Sequence, residues 1–357
     1  MNHQPPQESE SPVTSHQSLS PSHLSPVTAS DSPLPQSPSH QSPVTSHGLP
    51  LPRIIIIQGP TATGKSELAA RLAEEFNGEI VGADSLQLYR GMEIGSAAPG
   101  PELRGRAPHH LIGILDPDAP FTAADYAREA GEVIAGILRR GGIPFVTGGT
   151  GLYLRALLGG MIESPAGNDG LRRELAQRGE LHGFASLLEE LKQVDPETGA
   201  RLHPNDRLRI VRALEVCRAT GVPFSQMTRE HGFREERYSV LKVGITRERS
   251  QLYRRVEERV EGMLVDGLVD EVRGLLARGY SPDLKSMRAI GYKEICRHLS
   301  GEITLHEAAE LIKRDTRRYV KRQQTWFFRD SATKWFEYPE NFASIRYAVE
   351  EFIVSPR

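Results

Sequence analysis

Residues 54–66 read IIIIQGPTATGKS, and this stretch decides the fold. The isoleucines predict a buried strand, and the apolar pattern after Ser66 has helical spacing, so a glycine-containing loop joins a strand to a helix. The loop matches G-x-x-x-x-G-K-[S/T], in which backbone amides turn inward on an anion. Lys65 offers a charge to phosphate oxygens and Ser66 a hydroxyl to Mg²⁺. The predicted phosphate-binding residues are Gly59, Pro60, Thr61, Ala62, Thr63, Gly64, Lys65 and Ser66.

The first 52 residues differ in composition from the rest of the chain. They are rich in Ser, Pro, His and Gln, contain no Lys or Arg, and repeat the phrase Ser-Pro-Val-Thr. Such a segment cannot bury enough apolar surface to offset the entropy of ordering it, so we expect it to be disordered. Its lack of basic residues argues against a signal or transit peptide.

The overall charge is close to neutral, because 44 basic residues face 46 acidic ones in 357 residues. A nucleic-acid surface would therefore have to be a local patch. Cys217 and Cys296 lack the spacing of metal ligands and suit a reducing cytosol. No apolar run reaches the length of a membrane span. We expect a cytoplasmic monomer that does not enter a membrane.

Strand and helix patterns alternate from residue 54 to about residue 146, which favours a P-loop NTPase-like α/β fold: a parallel sheet flanked by helices. The expected strands are 54–57, 79–83, 111–115, 143–146 and 333–338, and the expected longer helices are 65–76, 122–139, 250–278 and 304–328. Residues 163–235 read as helical throughout and predict an insertion domain. The expected organisation is a disordered tail at 1–52, a catalytic core built from 53–162 and 236–357, and a helical insertion domain at 163–235.

A second glycine loop follows the strand predicted at 143–146. Residues 147–151 read TGGTG and precede an apolar helical run. Backbone amides and the helix dipole favour an anion at such a position, and Thr150 adds a hydroxyl. A turn of this kind often only connects two elements. Paired with the first loop at one edge of a sheet, it suggests that both loops hold the same anion.

Asp84 and Ser85 end the second predicted strand, where a side chain projects over the mouth of the phosphate loop. A helix cap is as consistent with Asp84 as a general base or a magnesium ligand. No other apolar run ends in an acid suited to ATP hydrolysis, since Asp116 is followed by Pro117 and reads as a turn. The usual residues for attack on a terminal phosphate are therefore not evident.

Residues 311–329 carry seven Lys or Arg side chains against one acid, Asp315, with glutamines and aromatic residues interleaved. A basic helix of this composition suits backbone phosphates and stacked, unpaired bases. A solvated helix face is the alternative, and the missing counter-charges favour RNA. Arg255 and Arg259 lie one turn apart on an earlier predicted helix, where such arginines usually pair with neighbouring glutamates.

A series of further segments follows the phosphate loop in a fixed order. They are residues 84–92 (DSLQLYRGM), 94–97 (IGSA), 108–111 (PHHL), 148–153 (GGTGLY), 203–206 (HPND), 212–215 (RALE), 288–293 (RAIGYK) and 321–327 (KRQQTWF). In this order they closely resemble the tRNA dimethylallyltransferases, also called tRNA isopentenyltransferases, over nearly the whole chain after position 52. The phosphate loop alone is shared with many nucleotide-binding proteins, whereas the combination is specific.

The resemblance implies transfer of a dimethylallyl group from dimethylallyl diphosphate to the exocyclic amine of an adenine in tRNA. That adenine lies 3′ to the anticodon in tRNAs that read codons beginning with U. The resemblance implies that Asp84 is the general base. It also implies that Thr150 and Arg259 stabilise the departing diphosphate, together with Lys65 and a Mg²⁺ ion bound to Ser66. The implied tRNA contacts are Asp84, Ser85, Leu86, Gln87, Thr150, Arg172, Leu208, Arg209, Arg212, Arg288, Gly291, Tyr292, Lys293, Lys321, Arg322, Gln323, Trp326 and Phe327. Leu208 and Phe328 stand where a glutamine and an arginine are expected.

Two other functions fit parts of the sequence. A P-loop kinase of a small metabolite or nucleotide would use Asp84 to hold the acceptor hydroxyl. An RNA-binding regulatory ATPase would depend on the basic C-terminal helix. The sequence leaves open whether ATP also occupies the loop.

Overall fold

A parallel sheet lies at the centre of the computed structural model, which describes residues 51–161, 169–232 and 236–355. Within these ranges the sheet has six strands in the order β3-β2-β4-β1-β5-β6. They are β1 (Arg53–Gln58), β2 (Gly78–Gly82), β3 (His109–His110), β4 (Ile143–Gly148), β5 (Ser239–Thr246) and β6 (Lys334–Glu337). All neighbouring strands are parallel, so their carboxyl ends share one edge, as the predicted α/β fold requires.

Helices flank the sheet and follow its strands. Around the first four strands lie α1 (Lys65–Glu75), α2 (Pro101–Arg106), α3 (Ala123–Arg139) and α4 (Gly151–Gly159). After β5 come α10 (Arg249–Val265), α11 (Leu268–Ala277), α12 (Tyr292–Leu299), α13 (Leu305–Phe327) and α14 (Phe342–Val354). In the described ranges, no helix is both long and apolar enough to cross a membrane.

The isoleucines of β1 pack alternately on the two faces of the sheet. Ile54 and Ile56 belong to a core cluster with residues of α3 and α4. Ile55 and Ile57 belong to a second cluster with residues of α1 and α14. All four side chains are fully buried, as expected for a central strand covered by helices on both faces. This packing fixes the loop that follows β1 at the centre of the carboxyl edge.

Five helices occupy the part of the chain in which an insertion domain is predicted. They are α5 (Asp169–His182), α6 (Phe184–Val194), α7 (Pro196–Arg201), α8 (Arg207–Thr220) and α9 (Phe224–His231). Leucines of α6 and α8 form a hydrophobic cluster of their own with α5. The domain boundaries stay a prediction, and residues 162–168 and 233–235 lie outside the described ranges, as does the predicted tail up to residue 50.

Two predicted elements are wrong. The helix expected at 250–278 is two helices, α10 and α11, because the chain turns at Gly267, whose φ of 101° is left-handed and ends a regular helix. The strand expected at 111–115 is absent, and the edge strand is the shorter β3. Leu111 has a φ of 59°, which takes the chain out of extended geometry directly after β3.

Candidate active site

The phosphate loop connects β1 to the N-terminus of α1. Gly64 caps the helix with a φ of 101°, a conformation that L side chains rarely adopt, and Ala62 is also left-handed at 66°. The Thr63 hydroxyl donates to the carbonyl of Pro60 at 2.8 Å, and the Lys65 ammonium donates to the same carbonyl at 2.7 Å. The loop is therefore held closed by its own side chains at a helix end that favours anions.

Three arginines contact three successive residues of the phosphate loop. Arg259 donates from Nη1 to the Thr61 hydroxyl at 2.9 Å. Arg255 donates from Nε to the Ala62 carbonyl at 2.9 Å, and Arg247 donates from Nε to the Thr63 carbonyl at 3.1 Å. Arg255 and Arg259 thus face the loop instead of the glutamates of α10. Arg247 has no sequence signal, because it lies outside every motif.

Burial and neighbouring positive charges lower the pKa values of two cations around the loop. Burial, with the nearby Arg259 charge as a second cause, lowers the pKa of Lys65 to about 7, against a smaller opposing effect of Asp84. Burial and the charge of Arg255 also lower the pKa of Arg259. Positive charge concentrated in this way is typical of an anion-binding site.

The low pKa of Lys65 predicts a pH dependence of anion binding. An anion favours the ammonium form, which predominates in the free protein only below about pH 7. Affinity for inorganic diphosphate should therefore be full below that pH and fall by up to about tenfold per pH unit above it, until the pKa of the complex is reached. Calorimetry from pH 6 to 9 measures this dependence.

Lys65→Met is the reference for this measurement, because the ionisation of diphosphate itself affects both proteins equally. The wild-type advantage over Lys65→Met should shrink as the pH rises. A constant advantage over the whole range would contradict the shifted pKa.

The second glycine loop lies beside the first, as predicted, since β4 pairs with β1 at the centre of the sheet. Thr150 is tied to the end of β2: its amide donates to the Ala83 carbonyl at 3.1 Å, and its hydroxyl accepts from the Ser85 amide at 3.0 Å. The loop therefore positions the Thr150 hydroxyl next to the segment that carries Asp84.

The structure shows the capping role of Asp84, one of the roles that its sequence position leaves open. Oδ1 accepts from the amide of Leu86 at 2.9 Å and, more weakly, from that of Gln87 at 3.5 Å, which is the capping role. Oδ2 has no hydrogen-bond partner in the described part of the chain. The carboxylate is half-buried, and its charge acts on both Lys65 and Arg259. One oxygen is thus fixed by the backbone, and the other is available beside the phosphate loop.

Known proteins are similar to this chain in sequence and in fold. Residues 87–330 match the family model described as IPP transferase, and residues 52–111 match that of isopentenyl transferase. A tRNA dimethylallyltransferase 2 of Geotalea uraniireducens is 60% identical over 84% of this chain and 96% of its own length. A tRNA dimethylallyltransferase of Geobacter sulfurreducens is 58% identical over the same shares. The chain belongs to the tRNA isopentenyltransferase family.

Solved structures of the family have the same fold. The full-length tRNA isopentenylpyrophosphate transferase of Bacillus halodurans matches with a TM-score of 0.62 and 37% identity, over 84% of this chain and 96% of that one. A eukaryotic dimethylallyltransferase acting on tRNA matches with a TM-score of 0.73 and 28% identity, over 85% of this chain and 79% of that one. The predicted family and fold class are therefore confirmed.

The residues that the family resemblance assigns to tRNA divide into exposed and enclosed groups. Ser85, Arg172, Leu208, Arg209, Arg288, Lys321, Arg322 and Trp326 are exposed, and Leu86, Gln87, Arg212 and Lys293 are partly so. Gly291, Tyr292, Gln323 and Phe327 are enclosed by the fold. This gives these four a supporting role in the fold, and their direct contact with RNA remains a prediction.

The predicted excess of free charge on α13 is partly wrong. Lys313 pairs with Glu261 and Glu310, and Arg317 pairs with Glu257 of α10. Sequence could not show the two pairs with α10, because those glutamates lie more than 50 positions away and meet these cations only in the fold. Within the described ranges, Lys321 and Arg329 have no acidic partner, and Arg322 lies over the Tyr319 ring at 5.6 Å.

The exposed cations lie at the C-terminal end of α13 and just beyond it, and one of them, Arg329, lines a cavity. The cavity has a volume of about 1100 Å³, and Trp326, Arg155 and Arg329 are among its lining residues. The Arg155 guanidinium lies over the Trp326 ring at 5.1 Å. Aromatic and guanidinium surfaces together suit nucleic-acid bases and phosphates. Asp84, Lys65 and Thr150 do not line the cavity, but Gln58 and Gly151, which adjoin the two glycine loops, do.

Proposed function

We propose that this chain transfers the dimethylallyl group of dimethylallyl diphosphate to the exocyclic amine of the adenosine 3′ to the anticodon, in tRNAs that read codons beginning with U. Family membership supports the enzyme class, since the related proteins carry the name tRNA dimethylallyltransferase. The observation that supports the chemistry is Oδ2 of Asp84, which has no hydrogen-bond partner among the described residues and lies next to the two glycine loops.

The first step of the mechanism is binding of the prenyl diphosphate. Lys65, Arg259 and the amides of the phosphate loop hold its oxygens, and Thr150 adds a hydroxyl from the second loop. In the transfer the bond between the allylic carbon and the diphosphate oxygen breaks, and negative charge grows on that oxygen. Cations fixed before the reaction stabilise this charge without reorganisation, which lowers the barrier.

The residues present fit a magnesium ion that arrives with the diphosphate. Mg²⁺ keeps several waters and takes one or two protein ligands plus phosphate oxygens. The Ser66 hydroxyl lies at the start of α1 and has no hydrogen-bond partner in the described ranges. No cluster of three or more His, Cys, Asp or Glu side chains suits a metal in those ranges. Ser66 would hold the ion, which supplies charge neutralisation at the leaving group when it is bound.

The second step is removal of a proton from the adenine amine. Its lone pair is delocalised into the ring, so the amine becomes strongly acidic only as its bond to the allylic carbon forms. Asp84 Oδ2 accepts this proton, while Oδ1 stays on the backbone amides and holds the carboxylate in place. The products are the alkylated amine, diphosphate and a proton on Asp84 that passes to solvent.

The exposed end of α13 is proposed to bind the RNA backbone, and this predicts a salt effect. Replacing Arg318, Lys321 and Arg322 together with glutamine should weaken tRNA binding and reduce its salt slope by about one for each RNA phosphate that the variant no longer neutralises. Binding titrations between about 50 and 300 mM salt, a range that includes the physiological ionic strength of about 0.15 M, measure the slope.

Lys313→Gln on the same helix is the matched control, because two glutamates already neutralise Lys313. It should leave the slope unchanged. An unchanged slope in the triple variant would place the RNA elsewhere.

The function is tested by incubating the protein with labelled dimethylallyl diphosphate and unmodified tRNA, beside a parallel assay of ATP turnover. Label should enter tRNA without ATP. Conversion of ATP to ADP without transfer of label would support a kinase or a regulatory ATPase instead, and release of free phosphate would mark the ATPase. A cytoplasmic location and a monomeric state stay predictions.

A further inference from the structure

Gln323 of α13 lies between the two anion-binding loops and is hydrogen-bonded to both. Its Oε1 accepts from the amide of Thr61 in the phosphate loop at 2.8 Å, and its Nε2 donates to the carbonyl of Gly149 in the second loop at 3.0 Å. A backbone N–H can only donate and a carbonyl can only accept, so these partners fix the orientation of the side-chain amide. The residue is 5% exposed.

Gly149 leaves the space that this bridge needs. A Cβ atom placed on Gly149 would overlap Nε2 of Gln323, and its other neighbours would be Cδ of Gln323 at 3.6 Å and Oδ2 of Asp84 at 3.9 Å, which are ordinary contacts. The obstacle to a side chain at position 149 is therefore Gln323 alone. The absence of a side chain at Gly149 and the presence of the Gln323 amide therefore depend on each other.

We propose that Gln323 is a positioning residue that fixes the spacing of the two loops around one diphosphate, and not a contact to tRNA. The inference rests on the proposed function only in naming diphosphate as the shared anion. Each loop alone supplies part of the donor set, and their donors converge on one anion only if the distance between the loops is held. A buried amide with both groups satisfied is rigid, so the donors are arranged before the anion arrives.

Gln323→Ala should weaken the binding of inorganic diphosphate, measured by calorimetry with Mg²⁺, by roughly tenfold, the usual effect of losing two neutral hydrogen bonds. Gln323→Asn should act similarly, because its amide is too short to reach both loops. The tRNA dissociation constant should stay within about a factor of two, which is inside the context dependence of such effects. Gln324→Ala is the matched control, since the adjacent Gln324 side chain makes no hydrogen bond to either loop within the described ranges.

A double-mutant cycle separates positioning from general stability. Gly149→Ala alone should weaken diphosphate binding, because its methyl group displaces the Gln323 amide. In a Gln323→Ala background the same change should have almost no further effect, because the displaced group is gone. Additive losses in the cycle would overturn the proposal. If Gln323→Ala proves too unstable, Gln323→Asn takes its place in the cycle.

The outcomes also distinguish this inference from the proposed function. Weaker tRNA binding with unchanged diphosphate affinity in Gln323→Ala would make Gln323 an RNA contact and overturn the positioning role. If the wild type bound diphosphate and followed the cycle but transferred no prenyl group, the proposed function would fail while the positioning role would stand. Melting temperatures of all variants show whether any loss of binding reflects unfolding.

Discussion

Asp84→Asn is expected to lower the rate of the transfer step by roughly 10²–10⁴-fold, the usual contribution of a positioned base. Asparagine keeps the oxygen that accepts from the Leu86 amide, so the turn after β2 should survive. It replaces Oδ2 with an amide nitrogen, which cannot take a proton from the adenine amine. Loss of rate without loss of structure is the signature of this role.

Single-turnover transfer with enzyme in excess measures the effect, and calorimetry with diphosphate measures binding. Diphosphate affinity should not fall in Asp84→Asn, because the removed charge does not hold the anion. Asp116→Asn is the matched control, since Asp116 is an exposed carboxylate paired with Arg90 at 3.1 Å. A transfer rate for Asp84→Asn equal to that of the wild type would reduce Asp84 to a cap.

Arg259→Met is expected to give the second largest loss, about 10²–10³-fold in the transfer step, as for removal of one preorganised donor to a developing anion. Arg259 is fixed by the Thr61 hydroxyl at 2.9 Å. Its charge also lowers the pKa of Lys65, so its removal should raise that pKa. The decline of diphosphate affinity with pH should therefore begin at a higher pH in the variant.

Arg254→Met tests the specificity of this effect. Arg254 is exposed on the same helix and has no partner among the described residues, so neither the rate nor the pH profile should change. Equal losses in Arg254→Met and Arg259→Met would indicate a general effect of charge on α10. A pH profile unchanged in Arg259→Met would contradict the coupling to Lys65.

The centre of the fold was predictable because its signals are local. An apolar run, a glycine loop and a helical pattern stand next to one another in residues 54–66, and each specifies its own geometry. Strand β5 was missed, although it pairs with β1 along six positions. Lys242 and Gly244 interrupt its apolar run. Why a lysine and a glycine occupy these strand positions is visible only in the fold. Lys242 pairs with Asp330 at 2.7 Å, and Gly244 makes room for Trp335 and Thr333 of a distant segment.

The site was predictable only in part, because some of its residues are specified by local sequence and others only by long-range contacts. Residues that end a strand or begin a helix, such as Lys65, Asp84 and Thr150, occupy positions that sequence reveals. Gln323 and Arg247 act through contacts with residues at least 174 positions away, and no periodic pattern records them. Two counter-charges of α13, Glu257 and Glu261, were also invisible, since they come from α10.

The most direct measurement counts products in a single turnover without ATP. The protein, dimethylallyl diphosphate, Mg²⁺ and an unmodified tRNA transcript are mixed, and the tRNA is digested for mass spectrometry while diphosphate is assayed in parallel. One diphosphate should be released for each dimethylallyl group, and that group should be on the adenosine 3′ to the anticodon. No transfer in the absence of ATP, or transfer to another nucleotide, would contradict the proposed function.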